Sequence, residues 1–173
     1  HIVCKKPEDI SPEMWKRTEV LYAARQLPEV DWVPNLKWHQ CHFVGFQSGW
    51  EDGLLGKEGL TITTMSGAAA PQVAEFAVAM MMSLGHRLPD LMANQREVGW
   101  PERRWDRFEP LELRDSTVGI LGYGSIGREI ARLLQPYDVT ILAAKRNVMQ
   151  PEDKGFRLKA IGDPEGHLFD RLY

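Results

Sequence analysis

With 173 residues, the chain has room for one ordinary domain or for parts of two. Its 21 Lys and Arg against 24 Asp and Glu leave a net charge of −3, which excludes the basic excess of a general nucleic-acid binder. An apolar share of 43% with 26% charged residues excludes a disordered chain, and two cysteines, Cys4 and Cys41, cannot form a disulfide scaffold.

No segment is expected to span a membrane. The most apolar region, 68–84, is interrupted by Pro71, Gln72 and Glu75. Its unbroken core, Phe76 to Met82, is far short of the roughly 20 residues a spanning helix needs. No secretory signal is visible, and the cysteine usage suits a reducing compartment, so a cytoplasmic location is expected.

Residues 1–65 read as short strands separated by turns. Ile2–Cys4 is a short apolar run, and the expected strands are Glu19–Ala23, Leu36–Cys41 and Leu60–Thr64. A long helix follows from Pro71, because proline suits a first helical turn, where its missing N–H has no intrahelical partner. Its apolar residues, from Val73 through Phe76 and Met80–Met82 to Leu84, fall on nearly every side. That pattern predicts a helix buried between layers or between subunits, with the methionines as core filler. Residues 94–114, with Trp100, Pro101, Trp105 and Pro110, read as a connecting excursion. Its Arg103, Arg104 and Arg107 alternate with Glu102, Asp106 and Glu109, which fits a solvated or interface surface better than a nucleic-acid patch.

The most informative stretch runs from Thr117 to Leu134. Val118–Leu121 is a continuous apolar run, as in a parallel strand covered on both faces. Gly122, Gly124 and Gly127 then give G-x-G-x-x-G spacing. Ile126, Ile130, Leu133 and Leu134 recur at helical spacing, which puts Arg128, Glu129 and Arg132 on the polar side. Pro136 stops the helix, and Asp138–Ala143 reads as a second strand. In a strand–turn–helix–strand unit, this spacing points to a dinucleotide. The first glycine permits the tight turn, the second lets a pyrophosphate approach the backbone, and the third lets helix and strand pack closely. The candidate cofactor contacts are Gly122, Tyr123, Gly124, Ser125, Ile126 and Gly127, with N–H groups around Ser125 and Ile126 facing the phosphates.

The end of the second strand bears on which dinucleotide is bound. An NAD-selective site places Asp or Glu about 20 residues past the motif, on the ribose 2′-OH. Here the sequence is Ala143-Ala144-Lys145-Arg146-Asn147, and Asp138 sits at the wrong end of the strand. Lys145 and Arg146 could pair with a 2′-phosphate, which favours NADP(H). The alternative is that both are solvated loop cations and the site takes either NAD or NADP.

Three stretches together resemble the D-isomer-specific 2-hydroxyacid dehydrogenases, whose relatives include glyoxylate/hydroxypyruvate reductases and phosphoglycerate dehydrogenases. They are Leu36–Gly45, the stretch from Ser66 through Pro71 and Glu75 into the long helix and Arg87-Leu88-Pro89, and Leu121–Ala131. The resemblance implies an α/β fold of Rossmann-like, doubly wound parallel sheets. A partial substrate domain (1–70) is followed by the first half of an NAD(P)-binding domain (71–173) that begins with a linking, dimerising helix. It implies an oxidoreductase that moves a hydride between a nicotinamide cofactor and a D-2-hydroxy acid or 2-oxo acid, acting as a homodimer. It also implies that backbone N–H groups of the glycine-containing loop after the matching strand Leu36–Cys41, at Val44 and Gly45 with Phe46 and Gln47 following, hold the substrate carboxylate.

The family's catalytic Arg, Glu and His lie further along its sequence than Tyr173. The chain is therefore expected to be a fragment truncated at both ends, with no catalytic residue of its own and no turnover alone. His39, His42, His86 and His167 are not assigned the missing role. His39-Gln40-Cys41-His42 does not suit a metal, because strand alternation divides its ligands between faces. The rival readings are a non-enzymatic, dinucleotide-sensing corepressor of the same fold and a Rossmann-type methyltransferase using S-adenosylmethionine. Residues 148–173, with glycines and prolines at 151, 155, 162, 164 and 166, read as loop ending in a short helix.

Overall fold

The computed structural model describes residues 6–24, 27–45 and 53–173. The apolar run Ile2–Cys4 and the loop residues Phe46 and Gln47 lie outside the described residues. The chain divides into two compact units, His1–Ser66 and Gly67–Tyr173.

In the first unit, helix α1 (Pro12–Arg17) starts where the Ser11 side chain accepts the Met14 N–H and proline occupies the first turn. Strands β1 (Val20–Ala23), β2 (Trp38–Cys41) and β3 (Thr61–Thr63) form a parallel sheet in the order β1-β2-β3, with Val20 opposite Trp38 and Trp38 opposite Thr61. Trp15, Val33, Leu36 and Leu54 form its core. Alternation along β2 buries His39 and Cys41 and leaves Trp38 exposed.

The second unit opens with α2 (Ala70–Gly85), followed by α3 (Leu88–Arg96) and α4 (Arg104–Arg107). The 94–114 excursion thus carries helical structure, and in it Arg103 pairs with Asp106 at 2.9 Å. Strand β4 (Thr117–Leu121), helix α5 (Ser125–Leu134) and strand β5 (Thr140–Ala144) follow, then β6 (Arg171–Leu172). The sheet is parallel in the order β4-β5-β6. A parallel pair needs a crossover, and α5 supplies it between β4 and β5. Ile120, Tyr123, Ala131, Leu134, Ile141 and Ala143 form the core, with Val78 and Met81 of α2 packed against it. Among the described residues, no helix is long and apolar enough to cross a membrane.

Four expectations are corrected here. Helix α2 is not buried all round within the chain: Ala70 and Ala74 are buried, whereas Phe76 is 65% and Leu84 66% exposed. Among the described residues, α2 packs on α5 and the core through Val78 and Met81. Strand β4 is not covered on both faces. Among the described residues it stands at one end of the sheet order, with Ile120 in the core and Leu121 95% exposed. Arg128 and Glu129 are not on a solvated face, being 2% and 1% exposed. Finally, residues 148–170 are irregular as expected, but the end is strand β6 and not a helix.

Arg128 and Glu129 are buried because the 148–170 segment lies over α5. Arg128 donates from Nη1 to the Asp163 carbonyl at 2.6 Å and from Nη2 to the Pro151 carbonyl. Glu129 accepts two hydrogen bonds from Arg132, at 2.8 and 2.6 Å, and the Gly162 N–H at 2.6 Å. Helical periodicity marks which side chains are polar but does not reveal that a later segment supplies buried polar partners.

Burial pushes the Asp163 carboxyl up, but the Tyr123 hydroxyl, the His167 and Leu168 amides and the Arg128 charge outweigh it. The group ionises below its usual value of 3.8. For Glu129, burial is likewise outweighed by Arg132 and the Gly162 amide, which puts it below 4.5. Both folded-state values lie under the unfolded ones, so the stabilisation is present above the ordinary carboxylate range and is lost as pH falls through it. Asp163→Asn should lower stability at pH 7 by about 3 kcal/mol, since it leaves Arg128 buried with less counter-charge. It should also flatten the fall in melting temperature between pH 6 and pH 3. A variant with the parent's stability and the parent's acid slope would contradict this.

Candidate functional site: a glycine turn at the start of a helix

The turn between β4 and α5 is built by three glycines in three different ways. Gly122 has φ +103°, a left-handed conformation that favours glycine. Gly124 is the N-cap of α5, and a Cβ added there would meet nothing within 4 Å, so the backbone is open to an approaching group. At Gly127 a Cβ would lie 2.5 Å from the Gly122 carbonyl oxygen and 2.9 Å from Ile120 Cγ2, so helix and strand touch backbone to side chain.

The Gly122 and Tyr123 N–H groups both donate to the Ala144 carbonyl, at 3.0 and 2.9 Å, which ties the turn to the end of β5. The Arg128 N–H begins the helical ladder on Gly124. Ser125 and Ile126 open the helix, and glycine at the N-cap supplies no side-chain acceptor for the first-turn amides. Those amides and the helix dipole form a cradle for an anion. Its residues fit a diphosphate: a small, open N-cap, unpaired first-turn donors and no carboxylate among residues 122–127.

The residues singled out from the sequence divide into two sets. Gly122, Gly124, Ser125, Ile126 and Gly127 form the turn and first helical turn. Tyr123 belongs to the turn by its backbone, yet its side chain is buried in the core, 1% exposed, and its N–H is already taken. Lys145 follows β5, but its ammonium donates to the Gln150 carbonyl and, at 3.4 Å, to that of Glu152. Arg146 is exposed. Asp138 pairs with Arg114 at 2.6 Å at the other end of β5. Sequence reasoning missed Arg128 and Asp163. The only sequence signals were an arginine directly after the third glycine and an aspartate before a proline.

In the first unit, Val44 and Gly45 follow β2 as an exposed bend. The neighbouring Phe43 carbonyl accepts the Met65 N–H at 3.0 Å, which anchors the bend to the residues after β3. The histidines have local roles. His39 is fully buried, and burial lowers its pKa against an opposing contribution from the Ala23 backbone. His42 Nδ1 bonds the Tyr22 hydroxyl. His86 caps the end of α2, its N–H on the Met82 carbonyl at 2.8 Å. The His167 N–H donates to Asp163 at 3.0 Å. Among the described residues no three His, Cys, Asp or Glu side chains cluster as a metal ion would require.

Comparison with known proteins agrees with this geometry. Residues 78–163 match the D-isomer specific 2-hydroxyacid dehydrogenase, NAD binding domain. Over 115 residues the chain is 30% identical to the glyoxylate reductase/hydroxypyruvate reductase of Homo sapiens, covering 63% of this chain and 34% of that protein. Over 87 residues it is 28% identical to the hydroxypyruvate reductase of Thermotoga maritima, covering 50% of this chain and 28% of that protein. Among solved structures, a D-isomer specific 2-hydroxyacid dehydrogenase family protein from Aeromonas salmonicida superposes with a TM-score of 0.69 at 21% identity, covering 94% of this chain and 46% of that one. D-lactate dehydrogenase from Aquifex aeolicus, complexed with NAD and lactic acid, gives 0.64 at 22%, covering 82% and 43%. The chain belongs to the D-isomer-specific 2-hydroxyacid dehydrogenase family, and its second unit is a Rossmann-like NAD-binding domain. It spans about a third or less of the length of the two curated relatives named.

Two substitutions separate the glycines' roles. Gly127→Ala should lower stability by about 1–3 kcal/mol, because its methyl group collides with the Gly122 carbonyl. Gly124→Ala should leave the melting temperature within a few degrees of the parent and weaken dinucleotide binding by at least about tenfold, since the methyl group fills the anion's approach. Thermal melts paired with calorimetric titration of NADH check both. Unimpaired binding by Gly124→Ala would disprove the cradle.

Proposed function

We propose that the protein is an NAD(P)-dependent oxidoreductase acting on a D-2-hydroxy acid and its 2-oxo partner. The observation that carries this reading is the open Gly124 cradle, with its first-turn amides unpaired, inside the stretch that matches the family's NAD-binding domain. A bound nicotinamide would supply or accept the hydride. The Ser125 and Ile126 amides bind the diphosphate, and the α5 dipole favours its charge. The Val44 and Gly45 amides bind the substrate carboxylate, a role their exposure allows. Binding the two reactants is the chain's contribution to rate. None of the described histidines is given the proton transfer, since His39 is buried and His42 is bonded to Tyr22. The 173 residues alone should therefore show no NADPH oxidation with glyoxylate or hydroxypyruvate, and turnover by them would refute this division of labour.

The cofactor preference we infer is NADP(H), resting on Arg146. The sequence offers Lys145 and Arg146 as equals, but Lys145 is engaged by the Gln150 and Glu152 carbonyls and Arg146 is exposed. The exposed apolar residues of α2 and α3, among them Phe76, Met80, Leu84, Leu88 and Met92, support a homodimer through that face. We place the protein in the cytoplasm.

Arg146→Ala should weaken NADPH binding about tenfold more than NADH binding, the contribution of one charge-assisted contact to phosphate. Lys145→Ala should weaken the two alike, through the loop it holds, and the double variant should still lose NADPH more than NADH. Equal losses of NADPH and NADH in Arg146→Ala, measured by fluorescence titration, would remove the phosphate assignment.

A further inference from the structure

Tyr123 is the only residue of the Gly122-Tyr123-Gly124 bend with a side chain, and that side chain points into the core. Its hydroxyl donates to Asp163 Oδ2 at 2.6 Å. Its ring meets Phe169 edge-on at 5.2 Å, and the Arg128 guanidinium lies 4.8 Å from its centroid. Asp163 accepts three further hydrogen bonds, from the Gly166, His167 and Leu168 amides at 3.0, 3.0 and 2.9 Å. Its own carbonyl takes the Arg128 guanidinium. One aspartate, 40 residues further along the chain, therefore holds both the middle of the bend and the residue after the third glycine.

We propose that Asp163 is a positioning residue for the diphosphate cradle, acting through the Tyr123 hydroxyl; the proposal rests on the dinucleotide reading above. Two glycines flank Tyr123, and glycine backbones roam widely. The Ala144 carbonyl restrains the bend from the β5 side by holding the Gly122 and Tyr123 amides. The Tyr123–Asp163 bond restrains it from the opposite, core side. Apolar packing alone would bury the ring without fixing its direction, whereas a hydroxyl on an ionised carboxylate does fix it. A bend held in its binding conformation loses less entropy when the anion arrives.

Tyr123→Phe separates this role from that of a simple staple for the 148–170 segment. It removes one hydroxyl and leaves Asp163 its three amide donors and its carbonyl bond to Arg128. Calorimetry at 25 °C should show NADH and NADPH each bound about five- to tenfold more weakly, the loss one net hydrogen bond supports. The two nucleotides should lose alike, because they share the diphosphate. Loss of a staple alone would lower the melting temperature and leave the folded protein's affinity for both nucleotides unchanged. Asp163→Asn should show the same signature, and if it does not fold, Tyr123→Phe still decides. If the parent binds both nucleotides and Tyr123→Phe binds them as tightly, the positioning role is wrong. A loss confined to NADPH would assign the effect to the Lys145–Arg146 edge and equally overturn it. Failure of the parent to bind either nucleotide would overturn the dinucleotide reading and this proposal with it.

Discussion

The first-turn amides of α5 face outward with no side-chain cap, and much of the second unit can be read as the means of keeping them so. A helix start normally recruits Ser, Thr, Asp or Asn to satisfy its orphan donors. Here the N-cap is Gly124, which cannot. Such a start is stable only if the cost is offset elsewhere. The close contact of Gly127 with the Gly122 carbonyl brings the helix onto β4, and the Ala144 carbonyl takes the two amides that precede the N-cap. What remains open is a short row of donors at the positive end of a helix dipole, which suits a diphosphate.

The second theme is buried charge. Arg128, Glu129 and Asp163 are nearly inaccessible, and burying charges costs several kcal/mol per ion unless partners compensate. Partners supply that compensation: the guanidinium meets two carbonyls and a ring face and lies 4.0 Å from an Asp153 carboxylate oxygen, and the Asp163 carboxylate meets a hydroxyl and three amides. A crossover helix between β5 and β6 would have buried an apolar face. The irregular 148–170 segment substitutes polar anchors, which specify its path over α5 residue by residue.

The outward faces add a third constraint. Phe76 and Leu84 on α2 and Leu121 on β4 are apolar yet exposed within this chain. Single exposed apolar residues are ordinary, but several along one helix mark an interaction face. The sequence pattern of α2 carries the apolar chemistry of these residues. What it could not give was the partner, since composition does not say whether cover comes from the same chain or another.

Local chemistry was legible in the residues themselves. The β-branched and apolar runs marked β1 to β5 to within a residue or two, Pro71 marked the start of α2, and the glycine spacing marked the turn with a separate task for each glycine. These features depend on backbone sterics and short-range periodicity, which a sequence carries directly. The placement of Arg128 and Glu129, the fate of Lys145 and the tie between Tyr123 and Asp163 were not legible. Each depends on where a segment tens of residues away comes to rest. A charged side chain looks the same in sequence whether water or a distant carbonyl receives it, and only the folded path of residues 148–170 settled which one does.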